Sequence, residues 1–130
     1  MMYNKIIEEC FFYPRHAGVL DVSAPLVVHC RSSQPNQAVL IDLYINCSPD
    51  GIIKKINFKA KGNPYVIAAM EWLCRQTEGR LINSLPLITY QLLIKELGIP
   101  TNQYPIALQI EEIYKETVVL MKKKLEGIKS

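Results

Sequence analysis

The sequence predicts an α+β domain: a three-stranded antiparallel sheet with helices packed on one face, in the order α-β-β-β-α-α-α. Three observations lead there. Apolar residues alternate with polar ones in three successive segments between Leu26 and Lys61, the period of a strand with one covered face. Flanking segments repeat their apolar residues at helical spacing. A Ser48-Pro49-Asp50-Gly51 run joins the last two strand segments and reads as a hairpin turn. One polar face per strand argues for an antiparallel sheet covered on one side only.

Taken in order, the first helix is expected over Tyr3–Tyr13, where Ile6, Ile7, Cys10 and Phe11 share a face. Pro14 stops it and Arg15–Gly18 makes a turn. The first strand, Leu26–Arg31, sets Leu26, Val28 and Cys30 against Val27, His29 and Arg31. The second, Ala38–Asn46, sets Val39, Ile41, Leu43 and Ile45 against Asp42, Tyr44 and Asn46. The third, Ile52–Lys61, sets Ile56 and Phe58 against Lys55, Asn57, Lys59 and Lys61. Asn63-Pro64 then opens a helix, Asn63 as its cap and Pro64 in its first turn, running through Trp72 to about Thr77. A further helix is expected from Asn83 or Pro86 to Glu96, closed by Gly98 and Pro100. The last runs from Pro105 to Leu125, with Ile106, Ile110, Ile113, Leu120 and Leu125 near one face. The expected core is Ile41, Leu43, Ile45, Ile56, Phe58, Ile67, Met70, Ile110 and Ile113.

The chain has 130 residues, 49% hydrophobic and 21% charged, which fits one globular domain over residues 1–130 able to bury a core without disulfides. The apolar runs are too short to span a bilayer. Met1–Glu9 mixes Lys5, Glu8 and Glu9 into its apolar pattern, unlike a secretory signal, so the cytoplasm is the expected compartment. The net charge of +3 is mild. Much of it sits in two clusters, Lys54–Lys61 and Lys122–Lys124 with Lys129, whose cations are all lysine. Solvated faces explain these better than a nucleic-acid interface through Lys55, Lys59, Lys61 and Lys122–Lys124. Cys10, Cys30, Cys47 and Cys74 are spaced too widely for a local zinc site and are expected as buried free thiols.

The element order brings a family into view. Tyr3-Asn4-Lys5-Ile6-Ile7 and Tyr13-Pro14-Arg15-His16-Ala17-Gly18 resemble the first helix and Asn-Pro-Arg-Asn-x-Gly turn of the IscU/NifU N-terminal iron–sulfur scaffold family. Asp50-Gly51-Ile52-Ile53 and Ile56-Asn57-Phe58-Lys59-Ala60-Lys61-Gly62 resemble its second hairpin, leading into the family's Gly-Cys-x helix start at Gly62-Asn63-Pro64. Lys95-Glu96-Leu97-Gly98-Ile99-Pro100 resembles the approach to its last helix. The resemblance spans nearly the whole chain and implies a site of three cysteines and an aspartate, with a histidine beside the last cysteine. At those positions this chain carries Gln37 and Val39 (for the first Cys-Gly-Asp), Asn63, and Pro105-Ile106. None is a thiolate, imidazole or carboxylate. The Leu-Pro-Pro-Val-Lys segment read by a dedicated chaperone corresponds to Ile99-Pro100-Thr101-Asn102-Gln103, where only the first proline matches.

Other chemistry is sparse. His29-Cys30 is the only His-Cys pair, and strand alternation sends the two to opposite faces. They are weak metal candidates. His16 reads as a solvated turn histidine without a partner acid. Glu8-Glu9 and Glu111-Glu112 read as solvated helix faces rather than acid–base couples. No nucleophile elbow or phosphate-binding glycine loop occurs, so an enzyme is not expected. Phe12, Tyr13 and Arg15, with Tyr3, would form aromatic and arginine anchors if exposed. The resemblance implies that this end meets a cysteine desulfurase. The expected function is thus a non-catalytic scaffold-fold protein without cofactor that works through protein contacts, as an accessory or regulator of iron–sulfur assembly. The alternatives are a divergent scaffold binding an iron–sulfur cluster or zinc through Cys30, Cys47 or Cys74, and the basic nucleic-acid module.

Overall fold

The structure is a computed structural model that describes residues 4–33 and 39–129, the side chains of Ser33 and Lys129 excepted. Helix α1 spans Lys5–Phe12, capped by Asn4, whose Oδ1 accepts from the Ile7 N–H at 2.8 Å. Strands β1 (Val27–Ser33), β2 (Leu40–Cys47) and β3 (Ile53–Lys61) follow, then helices α2 (Pro64–Thr77), α3 (Tyr90–Leu97) and α4 (Tyr104–Lys129). The sheet is antiparallel in the order β1-β2-β3, as the alternation predicts.

Register explains the core. Val28, Ile45 and Ile56 form one cross-strand row and Cys30, Leu43 and Phe58 another, and α2 and α4 pack over this face. Met70, Leu73, Ile110 and Ile113 seal it and are fully buried. Truncating Phe58 to Ala at its centre costs about 3–5 kcal/mol in lost transfer energy and cavity. One expected core position differs: Ile67 is only partly buried. Leu120, expected on the apolar face of the last helix, is exposed, and its neighbour Met121 is buried.

The opposite face is less open than alternation alone implies. Asp42 is buried there, beneath the side chains of His29 and Arg31 on neighbouring β1. The lysines of β3 and Lys122–Lys124 are exposed, as solvated faces require.

The third helix begins later than the sequence suggests. Ile82–Ser84 makes one 3-10 turn, residues 85–89 have no regular structure, and α3 starts at Tyr90. Pro86 has no N–H to give a helix, whereas Thr89 caps α3 by accepting from the Leu92 N–H at 3.2 Å. Glu111 of α4 adds a second cap, its Oε1 accepting from the Tyr90 N–H at 2.8 Å. Glu111 is therefore a tertiary cap rather than a solvated face. Gly98 ends α3 in the left-handed conformation, φ 61°, where glycine carries no side-chain penalty. Helix α4 runs one residue earlier and four residues later than expected.

Candidate functional site

The starts of β2, α2 and α4 meet at one end of the domain. Leu40 at the head of β2 pairs with Lys61 at the tail of β3, so Val39 lies over Gly62. A Cβ on Gly62 would sit 2.9 Å from Val66 Cγ2 and 3.5 Å from Val39 Cγ2, which leaves room for glycine alone unless Val66 moves. Asn63 caps α2, its Oδ1 accepting from the Tyr65 N–H at 3.0 Å and the Val66 N–H at 3.4 Å. Its Nδ2 donates to Gln103 Oε1 at 2.6 Å, tying the head of α2 to the turn before α4. Pro105 sits exposed in the first turn of α4 and Ile106 is buried. Gln37 lies outside the described residues. At the described positions that the resemblance assigns to ligands stand Val39, the Asn63 cap, Pro105 and the buried Ile106, and none of them carries a thiolate or imidazole. In the chaperone-equivalent segment Ile99 is buried, Pro100, Thr101 and Asn102 are exposed, and Gln103 is turned onto Asn63.

His29 and Cys30 do point to opposite faces. Cys30 pairs with Leu43 on the core side and is half-buried. His29 stacks on Tyr44 with ring centroids 4.4 Å apart and holds Asp42 Oδ1 at 2.6 Å from Nε2. Arg31 Nε donates to the same oxygen at 2.9 Å. Burial alone would raise the Asp42 carboxyl, but the bonds from Arg31 and His29 outweigh it and hold the group below the usual carboxylate range. Cys10, Cys47 and Cys74 are buried free thiols. Burial pushes Cys47 up to about 11 and Cys74 well above the usual thiol value, so neither is inclined to ionise. Among the described residues no three His, Cys, Asp or Glu side chains are grouped to hold one metal ion.

The sequence-based expectation for His16 is overturned. His16 is buried, and both ring nitrogens face carboxylates: Nδ1 is 2.7 Å from Glu71 Oε2 and Nε2 is 3.2 Å from Glu78 Oε2. Only a ring protonated on both nitrogens donates to both. Glu71, wholly buried on α2, also accepts from the His16 backbone N–H at 2.7 Å and from Arg75 Nε at 2.7 Å. Arg75 Nη1 reaches Glu9 Oε1 at 3.2 Å and Nη2 donates to the Tyr13 carbonyl at 2.7 Å. Glu9 is thus an ion-pair partner rather than a bystander. The network fastens α1 and its following turn onto α2, because a buried carboxylate has to be paired. The missed partners lie 55 residues apart. The available clue was Glu71 itself, an acid inside an otherwise apolar helical stripe.

This fastening fixes the aromatic end of α1. Phe12 is 66% and Tyr13 63% exposed, beside exposed Arg15, while Phe11 packs against the core. Tyr3 lies outside the described residues. Val19 and Val22, further along the chain, are exposed as well. No described helix is long and apolar enough to cross a membrane.

A three-stranded antiparallel sheet under α2 and α4, with a tip formed where β2, α2 and α4 begin, defines an α+β domain. The family follows from comparison with known proteins. The model for the NifU-like N terminal domain matches residues 2–126, and the chain belongs to that family. No curated protein matches it. The described side chains at this tip, Val39, Asn63, Pro105 and Ile106, include no thiolate, imidazole or carboxylate.

Proposed function

We propose that this protein is a non-catalytic member of the scaffold family that acts through protein–protein contacts in the cytoplasm, as an accessory or regulator of iron–sulfur cluster assembly. Its partner is a cysteine desulfurase or another assembly component. The observation that carries the proposal is the double engagement of Asn63, as α2 cap and as donor to Gln103, at a position where a cluster scaffold needs a free ligand. A cluster site is held open, with soft ligands near solvent, before metal arrives. Here the same backbone frame is kept and its tip is satisfied internally. The exposed Phe12, Tyr13 and Arg15 supply side chains of the kind that dominate protein interfaces.

The test is iron and acid-labile sulfide content of protein purified without oxygen, with a Cys30→Ser control. Absence of both is expected. Stoichiometric iron and sulfide that disappear in the Cys30→Ser protein would overturn the proposal and make Cys30 a ligand. Binding to a cysteine desulfurase is then measured with Phe12→Ser and Tyr13→Ser, which are expected to weaken it at least tenfold in combination.

A further inference from the structure

A cavity of about 530 Å³ opens between the turn after α1, the outer face of β3 and the end of α2. Its size falls within the range of roughly 300–1,000 Å³ typical of small-molecule sites. Arg15, His16, Lys55, Asn57, Arg75 and Glu78 supply its polar wall, and Val19 with Leu20 its apolar one.

The charges in this wall are not equivalent. Arg75 is committed to Glu71, Glu9 and the Tyr13 carbonyl, and His16 to Glu71 and Glu78. The one wall carboxylate, Glu78, turns its Oε2 onto His16 Nε2 at 3.2 Å. What is left uncommitted among the described residues is two cations, Arg15 and Lys55, and an amide, Asn57. Asn57 is held over Gly18, where an added Cβ would come 3.6 Å from its Nδ2. Gly18 itself has φ +140°, a conformation that side chains rarely adopt. A guanidinium fork and an ammonium that have no protein partner, with an amide between apolar and polar walls, form an anion-recognition set.

We propose that this cavity binds a small organic phosphate. The dianionic group would be held by Arg15 and Lys55, with Asn57 donating, and its organic part would lie against Val19 and Leu20. A bare phosphate would leave most of the volume and the apolar wall unused. Arg15 belongs to both this cavity and the proposed partner surface, whereas Lys55, on β3, belongs to the cavity alone.

The test is titration with inorganic phosphate and with phenyl phosphate at matched ionic strength, read by calorimetry and by ³¹P line broadening. Phenyl phosphate is expected to bind at least fivefold more tightly than inorganic phosphate. Arg15→Gln and Lys55→Glu, both at exposed positions without described side-chain partners and so able to fold, are each expected to weaken it at least tenfold. Lys122→Glu, in the other lysine cluster, is expected to change it less than twofold. Equal affinity for the two probes would overturn the organic part of the proposal. No binding, or an equal loss in Lys122→Glu, would overturn the site itself. Loss of desulfurase binding in Phe12→Ser and Tyr13→Ser with phosphate binding intact separates this site from the partner surface.

Discussion

Replacing Asn63 with Ala removes two jobs at once, and the structure sets the size of each. Its Oδ1 satisfies the otherwise orphaned N–H groups at the head of α2, a cap worth about 1 kcal/mol. Its Nδ2 makes a partly buried bond to Gln103 at 2.6 Å, which adds about 1 kcal/mol. The expected loss is about 2 kcal/mol, or about 8 °C in Tm for a domain of this size. The assay is urea unfolding followed by the fluorescence of Trp72, the chain's single tryptophan and a residue of α2 itself. Gln103→Ala alone should cost about 1 kcal/mol, and Asn63→Ala in that background should cost about 1 kcal/mol less than in the parent. An Asn63→Ala protein within about 0.5 kcal/mol of the parent, or strict additivity with Gln103→Ala, would refute the closed tip.

Arg75→Met should destabilise by about 3 kcal/mol in the same assay, since it strips a donor from buried Glu71 and another from the Tyr13 carbonyl. Glu9→Gln, which removes only the exposed arm of that network, should cost less than about 0.5 kcal/mol. Equal effects would mean that the buried pairing contributes nothing. At pH 8 a disulfide reagent should label Cys30 alone in the folded protein, because Cys10, Cys47 and Cys74 are buried with raised thiol values. Labelling of any thiol in a folded Cys30→Ser protein would contradict that packing. The Asp42 carboxyl is held below its unfolded value by Arg31 and His29, so it stabilises the fold at neutral pH and that contribution is lost as pH falls below about 4. Asp42→Asn should therefore flatten the acid limb of a stability profile, and an unchanged limb would place the acid sensitivity elsewhere.

Local chemistry was enough to find most elements. Alternation placed all three strands on the correct face, and Asn63-Pro64 and Gly98 marked helix ends that the structure keeps. The start of α3 was not legible, because one of its caps, Glu111, comes from α4 and no local signal announces it. Burial of Asp42 was missed for a related reason. Period-two reading assigns a face, while the cover over Asp42 comes from His29 and Arg31 on the adjacent strand. At the tip, the resemblance assigned the ligand positions, whereas the Asn63–Gln103 bond joins residues 40 apart and has no local signal. The His16 network was the larger omission, since its partners meet only after α1 folds back on α2.

The turn at His16–Gly18 also alters what the sheet can join. Phe58 N–H donates to the His16 carbonyl at 2.9 Å and the Gly18 N–H to the Phe58 carbonyl at 2.8 Å. Further along, the Ile53 N–H donates to the Arg80 carbonyl and the Gly79 N–H to the Ile53 carbonyl, both within 2.9 Å. The outer rim of β3 is thereby stitched shut at two points by the chain's own backbone. An unpaired rim is a template for strand addition. Among the described residues no strand lies along the outer rim of β1, so any growth of this sheet by another chain has a single direction, away from the turn that holds His16.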